Sequence, residues 1–271
     1  MELSKKWSPS SLRSIQREFV SDITLLGGPV KYIGKIFVIV SVILVTQLSR
    51  AEYQWGFGDV SVNYLDWGRG TENKSTKTDF TYVELEGGAQ HTWGDLYGFF
   101  DIENVGKTGG EVRTASKAAI NFYLGNTKFG LYAHQYTFSS LGFAEQNRVI
   151  GFGYLWAGDG WWFKPFLGFH DVSQTFYSGS NGYMGGWVFG YNFTAFKQRF
   201  FLADWHEIEF NRNEAYAAGN GGRRSSTNGA LSIWWSYDAN LSIGQQWRYA
   251  TDKLGTGGDM AAWISTLKYS Y

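Results

Sequence analysis

Three histidines, His134, His170 and His206, share this chain with the carboxylates Asp101, Glu103 and Asp204 and the bases Lys128, Lys164, Arg248 and Lys268. Groups of these types can move protons, hold a cation or grip a polar solute. Nucleophilic catalysis needs more: a His close to a Ser, with a third group orienting it. His170 precedes Ser180-Asn181 and His134 precedes Ser139-Ser140, but both spacings are loose and no sharp motif surrounds them. A lipid hydrolase built on either His is therefore the weakest reading, and no catalytic residue is assigned. His206, Glu207 and Glu209 suggest a cation site, yet neighbours on a strand alternate faces. Gly219-Asn-Gly-Gly222-Arg-Arg lacks the strand–helix setting of a phosphate cradle. With no cysteine there is no disulfide framework or thiolate metal site, and no metal or cofactor is expected. What remains is solute contact, because aromatic residues are interleaved with these charges.

The elements that would carry such residues are extended. The chain is 19% aromatic and holds 35 Gly, a combination that suits strands with interfacial girdles and tight turns. Its last nine residues show the pattern: Trp263, Leu267, Tyr269 and Tyr271 point to one side, Thr266, Lys268 and Ser270 to the other. A soluble sandwich would have to cover the apolar face with a second sheet, whereas a membrane barrel needs only lipid there. The mean hydropathy of −0.27 does not argue against a barrel, since half of each strand faces a polar lumen. The reading is an all-β, transmembrane, antiparallel up-and-down β-barrel of about twelve strands, with cores at 57–67, 79–90, 95–103, 115–124, 128–138, 148–156, 161–172, 183–193, 198–210, 228–236, 240–250 and 260–271. Long breaks at 68–78, 104–114, 139–147, 173–182, 211–227 and 251–259 alternate with short ones. That layout places the long loops outside the cell and both termini at the periplasmic rim. Pro165 falls inside a strand and predicts a local irregularity.

Opposite parity to the apolar faces then lines the pore. The channel-lining set is Phe99, Asp101, Glu103, Tyr132, His134, Lys164, Phe166, His170, Asp204, His206, Arg248 and Lys268, with Lys128, Tyr97 and Tyr136 beside them. Aromatic faces next to ionisable groups suit a flat polar solute in a bore narrower than that of the large porins. The bland reading is that the charges pair with one another across strands. The strand at 198–210 is ambiguous: Phe201, Ala203 and Trp205 look lipid-facing, yet Glu207 and Glu209 share their parity.

The N-terminal part divides in two. Lys31 and Lys35 precede the apolar run 36–45, and Ser49-Arg50-Ala51 supplies a cleavage site, so residues 30–51 read as a signal peptide and 52–271 as the barrel. The run of about ten residues is too short for a spanning helix, which needs roughly twenty. Residues 1–29 read as an N-terminal extension from a mis-assigned start, the true start being Val30. Seven basic and three acidic residues leave with 1–51, so the mature chain carries 17 basic and 21 acidic residues, net −4, and nucleic-acid binding is not expected.

Trp55-Gly-Phe-Gly-Asp-Val-Ser-Val-Asn-Tyr-Leu-Asp-Trp67 resembles the mature N-terminus of the outer membrane protein K branch of the Tsx-like nucleoside channels. Phe169-His170-Asp171, the stretch Phe200–Phe210 and the closing aromatic strand fit the same pattern, so the resemblance covers most of 52–271. It implies a monomeric twelve-stranded barrel in the outer membrane of a Gram-negative bacterium, passing nucleosides or similar small polar solutes. It also implies a surface receptor for phage and recognition of the C-terminal Tyr271 by the barrel-assembly machinery. The alternative to a channel is a receptor barrel plugged by its own side chains.

Overall fold

The computed structural model describes residues 52–271. The extension at 1–29 and the leader at 30–51 lie outside the described residues. Nearly everything described is antiparallel strand, in the order β1 (Tyr53–Trp67), β2 (Phe80–His91), β3 (Gly94–Glu103), β4 (Arg113–Tyr123), β5 (Phe129–Ser140), β6 (Phe143–Tyr154), β7 (Trp156–Gly158), β8 (Trp161–Gln174), β9 (Tyr177–Ala195), β10 (Gln198–Phe210), β11 (Ser225–Ser236), β12 (Leu241–Lys253) and β13 (Thr256–Ser270). Two short helices, α1 (Arg69–Glu72) and α2 (Glu214–Ala218), interrupt the loops after β1 and β10.

Each strand pairs with its sequence neighbours, and β1 also pairs with β13, so no edge remains exposed to lipid. The segments β6 and β7 form one strand in a single register against β8, with Gly153 opposite Phe166 and Trp156 opposite Phe163. The interruption between them faces Pro165 and Lys164, where Pro165 has no N–H to donate. Counted this way the barrel has twelve strands. Both ends of the described chain meet at one rim: Glu52 accepts from the Thr92 N–H at a tight turn, and Tyr271 N–H donates to Gly58.

The outward face is apolar and exposed, led by Phe169 at 70% and Ile150 at 69% exposure, values a soluble core would not tolerate. Aromatics gather towards the ends of the strands, with Phe129 stacked on Phe152 and Phe193 on Phe200 near one rim and Tyr183 on Phe210 near the other. This is the girdle pattern of a barrel in a bilayer.

The connections differ from expectation at three places. The breaks expected at 139–147, 173–182 and 251–259 are hairpins whose tips are only 141–142, 175–176 and 254–255. Polar residues there, such as Glu145, Gln146 and Asn147, belong to strands that continue beyond the lipid. A polar stretch marks where a strand leaves the membrane. Its hydrogen-bond ladder runs on in water just as well.

Candidate functional site

The bore is built from every second side chain, and its first organising feature is a pair of struts. Lys117 Nζ on β4 meets Glu207 Oε1 on β10 at 2.5 Å. Four strands separate β4 from β10 on one side and six on the other, so this ion pair crosses the lumen near its diameter. Lys164 on β8 reaches Asp95 on β3 at 3.0 Å, a second crossing.

The four-strand sector behind the first strut is filled. Val149, Phe166 and Met184 form a buried cluster with Tyr132 packed against it. Tyr132 stacks on Phe166 at 4.6 Å, and its hydroxyl lies 2.9 Å from His134 Nδ1. His170 sits above, fully enclosed: Nε2 lies 2.8 Å from Asn147 Oδ1, and Nδ1 lies 3.2 Å from Asn181 Nδ2. Those partners suit a neutral ring protonated on Nε2, which accepts from Asn181 at Nδ1. The 3.9 Å approach of Nδ1 to Glu209 is then secondary to the Asn181 hydrogen bond.

At the outer mouth, Glu209 gathers three groups: Lys253, Arg212 Nε at 3.1 Å and Ser226 Oγ at 3.0 Å. The loop after β10 folds inward over this cluster. Tyr216 of α2 is buried and donates from its hydroxyl to Glu145 at 2.9 Å, while Asn213 caps the helix by accepting from Ala215 N–H.

The six-strand sector is packed towards the outer rim, where Leu65, Trp67, Phe80, Ala250, Met260, Ala262 and Ile264 form a buried cluster, and below it a half-exposed stretch carries opposed walls. On β2 and β3 stand Glu84, Glu86, Tyr97, Phe99, Asp101 and Glu103, with Glu84 directly opposite Asp101 in the ladder. Tyr97 donates to Glu86 at 2.7 Å, and one Asp101 carboxylate oxygen is buried without a hydrogen-bond partner. Facing them, Arg248 lies over the Trp205 ring at 5.3 Å and Lys268 over the Trp234 ring at 3.8 Å. Lys268 also lies 3.5 Å from both Asp59 and Glu86. Above, Lys77 from the loop after β1 sits over Trp67. Burial first, and then the nearby Arg248 and Arg113 charges, push its ammonium down to about 8.

Of the expected lining residues, ten face the bore. Phe99, Asp101, Glu103, Arg248 and Lys268 belong to the six-strand sector, Asp101 buried and the others half-exposed, and Tyr132, His134, Phe166 and His170 to the four-strand one; Lys164 forms the second strut. Asp204 and His206 are corrections. They face the bilayer, paired with Phe189 and Trp187 on β9, because Glu207 and Glu209 of the same strand are drawn inward by Lys117 and Lys253. Trp205 accordingly turns into the lumen. Lys117, Glu207, Glu209, Trp205 and Trp234 were missed. The shared parity of Trp205 with two glutamates was the available signal; the partners of Lys117 and Trp234 lie on strands remote in sequence.

A closed barrel with a lipid-compatible wall and a charged, aromatic bore is the architecture of an outer-membrane channel. The family model described as nucleoside-specific channel-forming protein, Tsx, matches residues 62–271, and the chain belongs to that family. Among solved structures it is similar to the KdgM porin in complex with disordered oligogalacturonate, at 9% identity and TM-score 0.45, covering 79% of this chain and 99% of that one. It is also similar to the outer membrane channel DcaP of Acinetobacter baumannii, at 7% identity and TM-score 0.42, covering 82% and 97%. An outer membrane channel from Pseudomonas putida F1 matches at 12% identity and TM-score 0.40, covering 80% and 95%.

Proposed function

We propose that this barrel passes nucleosides or similar small polar solutes by passive diffusion. The observation that carries the reading is the half-exposed stretch of the six-strand sector, where the Trp205 and Trp234 indoles and their cations face a wall of carboxylates. A flat base stacks on aromatic faces with little regard to its identity, and carboxylates accept from ring N–H groups and sugar hydroxyls. Glu84, Glu86 and Glu103, partly exposed on that wall, are such acceptors. In a planar bilayer the purified protein should give a small conductance that adenosine or thymidine partly blocks, and Trp205→Ala should weaken the block. Large steps insensitive to nucleosides would count against the reading.

A second reading is favoured by the inward fold of α2 over the Glu209 cluster, which narrows the outer mouth. The chain would then act chiefly as a surface receptor for phage, with the loop at 68–79 as its contact. Deleting 69–76 should abolish adsorption, while liposome swelling separates a pore from a plug. In either case the exposed Tyr271 addresses the barrel-assembly machinery, and residues 30–51 are cleaved after export. Truncating Tyr271 should lower the folded fraction in the membrane, and N-terminal sequencing of that fraction should read from Glu52.

A further inference from the structure

The loop after β10 is the longest of the described connections, and its two faces differ. Tyr216, Ala217 and Asn220 on its underside are buried, whereas Glu214, Ala215 and Ala218 on top are exposed. Its base is pinned. Arg212 N–H donates to the Arg224 carbonyl at 3.0 Å, and Arg224 Nε donates back to the Arg212 carbonyl at 3.2 Å. Glu209 holds Arg212 from below, and Arg223 Nε lies 3.3 Å from Asp252 Oδ2 on β12. Residues 213–220 hang from this base as a flap. On the returning side it is joined through Gly221-Gly222, whose φ values of +87° and +76° lie where glycine alone turns freely.

The flap reaches both sides of the outer mouth. On one side the Tyr216 hydroxyl donates to Glu145 on β6 at 2.9 Å, and the Tyr216 ring lies 5.8 Å from that of Tyr177 on β9. On the other, Asn220 Oδ1 accepts from the Gly255 N–H at 3.1 Å. Gly255 is at the tip of the β12–β13 hairpin, and its neighbour Leu254 packs against the apolar cluster of the six-strand sector. Flap, hairpin and cluster therefore run in one line across the mouth, from β6 round to β2.

The three parts of that line are held differently. The cluster is an apolar core, and opening it would expose Trp67, Phe80 and Met260 to water. Among the described residues, neither apolar cluster includes a residue of the flap. Its ties to the far walls are the Tyr216 and Asn220 hydrogen bonds, and water replaces bonds of this kind at little net cost. A segment with few apolar contacts and polar ties opens locally while the fold beneath it stays intact.

We propose that residues 213–220 form a lid over the outer mouth, which lifts between Arg212 and Gly221-Gly222 and closes by remaking the Glu145 and Gly255 contacts. A lid presupposes the channel reading. The test current is carried by potassium chloride alone, so failure of the lid and failure of nucleoside selectivity are separate results. Ala217→Cys puts a thiol on the underside of the lid, and Ala262→Cys puts one in the packed cluster, each the sole cysteine of its chain. On intact cells a bulky, membrane-impermeant maleimide should label Ala217→Cys steadily and leave Ala262→Cys unmodified. Tyr216→Phe keeps the ring and loses the Glu145 bond, and it should speed that labelling several-fold; Asn220→Ala, which frees Gly255, should do the same if Tyr216→Phe fails to fold. In planar bilayers the labelled Ala217→Cys barrel, its lid propped up, should conduct several-fold more than the unlabelled one, and a barrel lacking residues 213–220 should hold that raised level. The lid would be overturned by the two cysteines reacting alike, by labelling that neither Tyr216→Phe nor Asn220→Ala accelerates, or by conductance unchanged after labelling or deletion.

Discussion

At the residue scale, the charges in the bore divide into those that pair and those that face an opening. Glu209 is the buried hub: it holds Lys253 and Arg212, and neither base has another carboxylate within ion-pair distance among the described residues. Glu209→Gln should therefore destabilise the barrel by about 3–5 kcal/mol, the cost of breaking a buried ion pair, read from guanidinium unfolding in detergent. Lys77 gives the pH prediction. Its folded value of about 8 lies below its unfolded one, so it loses its charge as pH rises through about 8. The outer mouth then becomes more negative, and the reversal potential should move toward cation selectivity between pH 7 and 9; Lys77→Met should remove that step. The same shift implies stability that rises with pH between about 8 and the unfolded value, since only the unfolded chain binds that proton there. Parity along single strands revealed Phe99, Asp101, Arg248 and Lys268 as lumen residues. It failed at Asp204 and His206, where the outward-looking Phe201-x-Ala203-x-Trp205 series and the two glutamates gave opposite signals, and ion pairing across the bore settled the facing.

At the element scale, strands are longer than their apolar stretches because ladder hydrogen bonds do not depend on lipid. The hairpins at 141–142, 175–176 and 254–255 were hidden for this reason: Ser, Asn and Gly on protruding strands look like loop residues in a sequence. Backbone geometry is demanding where β8 and β9 shift register between Phe169 and Asp171. Gly182 adopts φ +72° there, and a Cβ would stand 2.2 Å from the Asn211 carbonyl oxygen. Gly182→Val should thus prevent closure between β9 and the loop after β10, seen as loss of the fast-migrating folded band on an unheated gel. An irregularity was expected at Pro165 itself, but its own strand runs unbroken and the interruption falls on the facing strand, which loses the donor that Pro165 lacks.

At the scale of the whole molecule, the Lys117–Glu207 strut decides how much of the bore is open. Lys117→Ala with Glu207→Ala should raise single-channel conductance and admit larger sugars in liposome swelling, whereas the exchanged pair Lys117→Glu/Glu207→Lys should keep the original cut-off. An unchanged conductance in the double alanine variant would show that the filled sector closes the path without the strut. Alternating apolar and polar residues, girdle aromatics and an even series of strands were enough to establish a barrel, its lipid face and its membrane, because a period of two is a local property that every strand states for itself. Which side chains meet across the lumen, and where the bore is packed or faces water, depend on register and closure summed over all twelve strands. Lys117 and Glu207 are 90 residues apart and on nearly opposite walls, and only the closed cylinder brings them together.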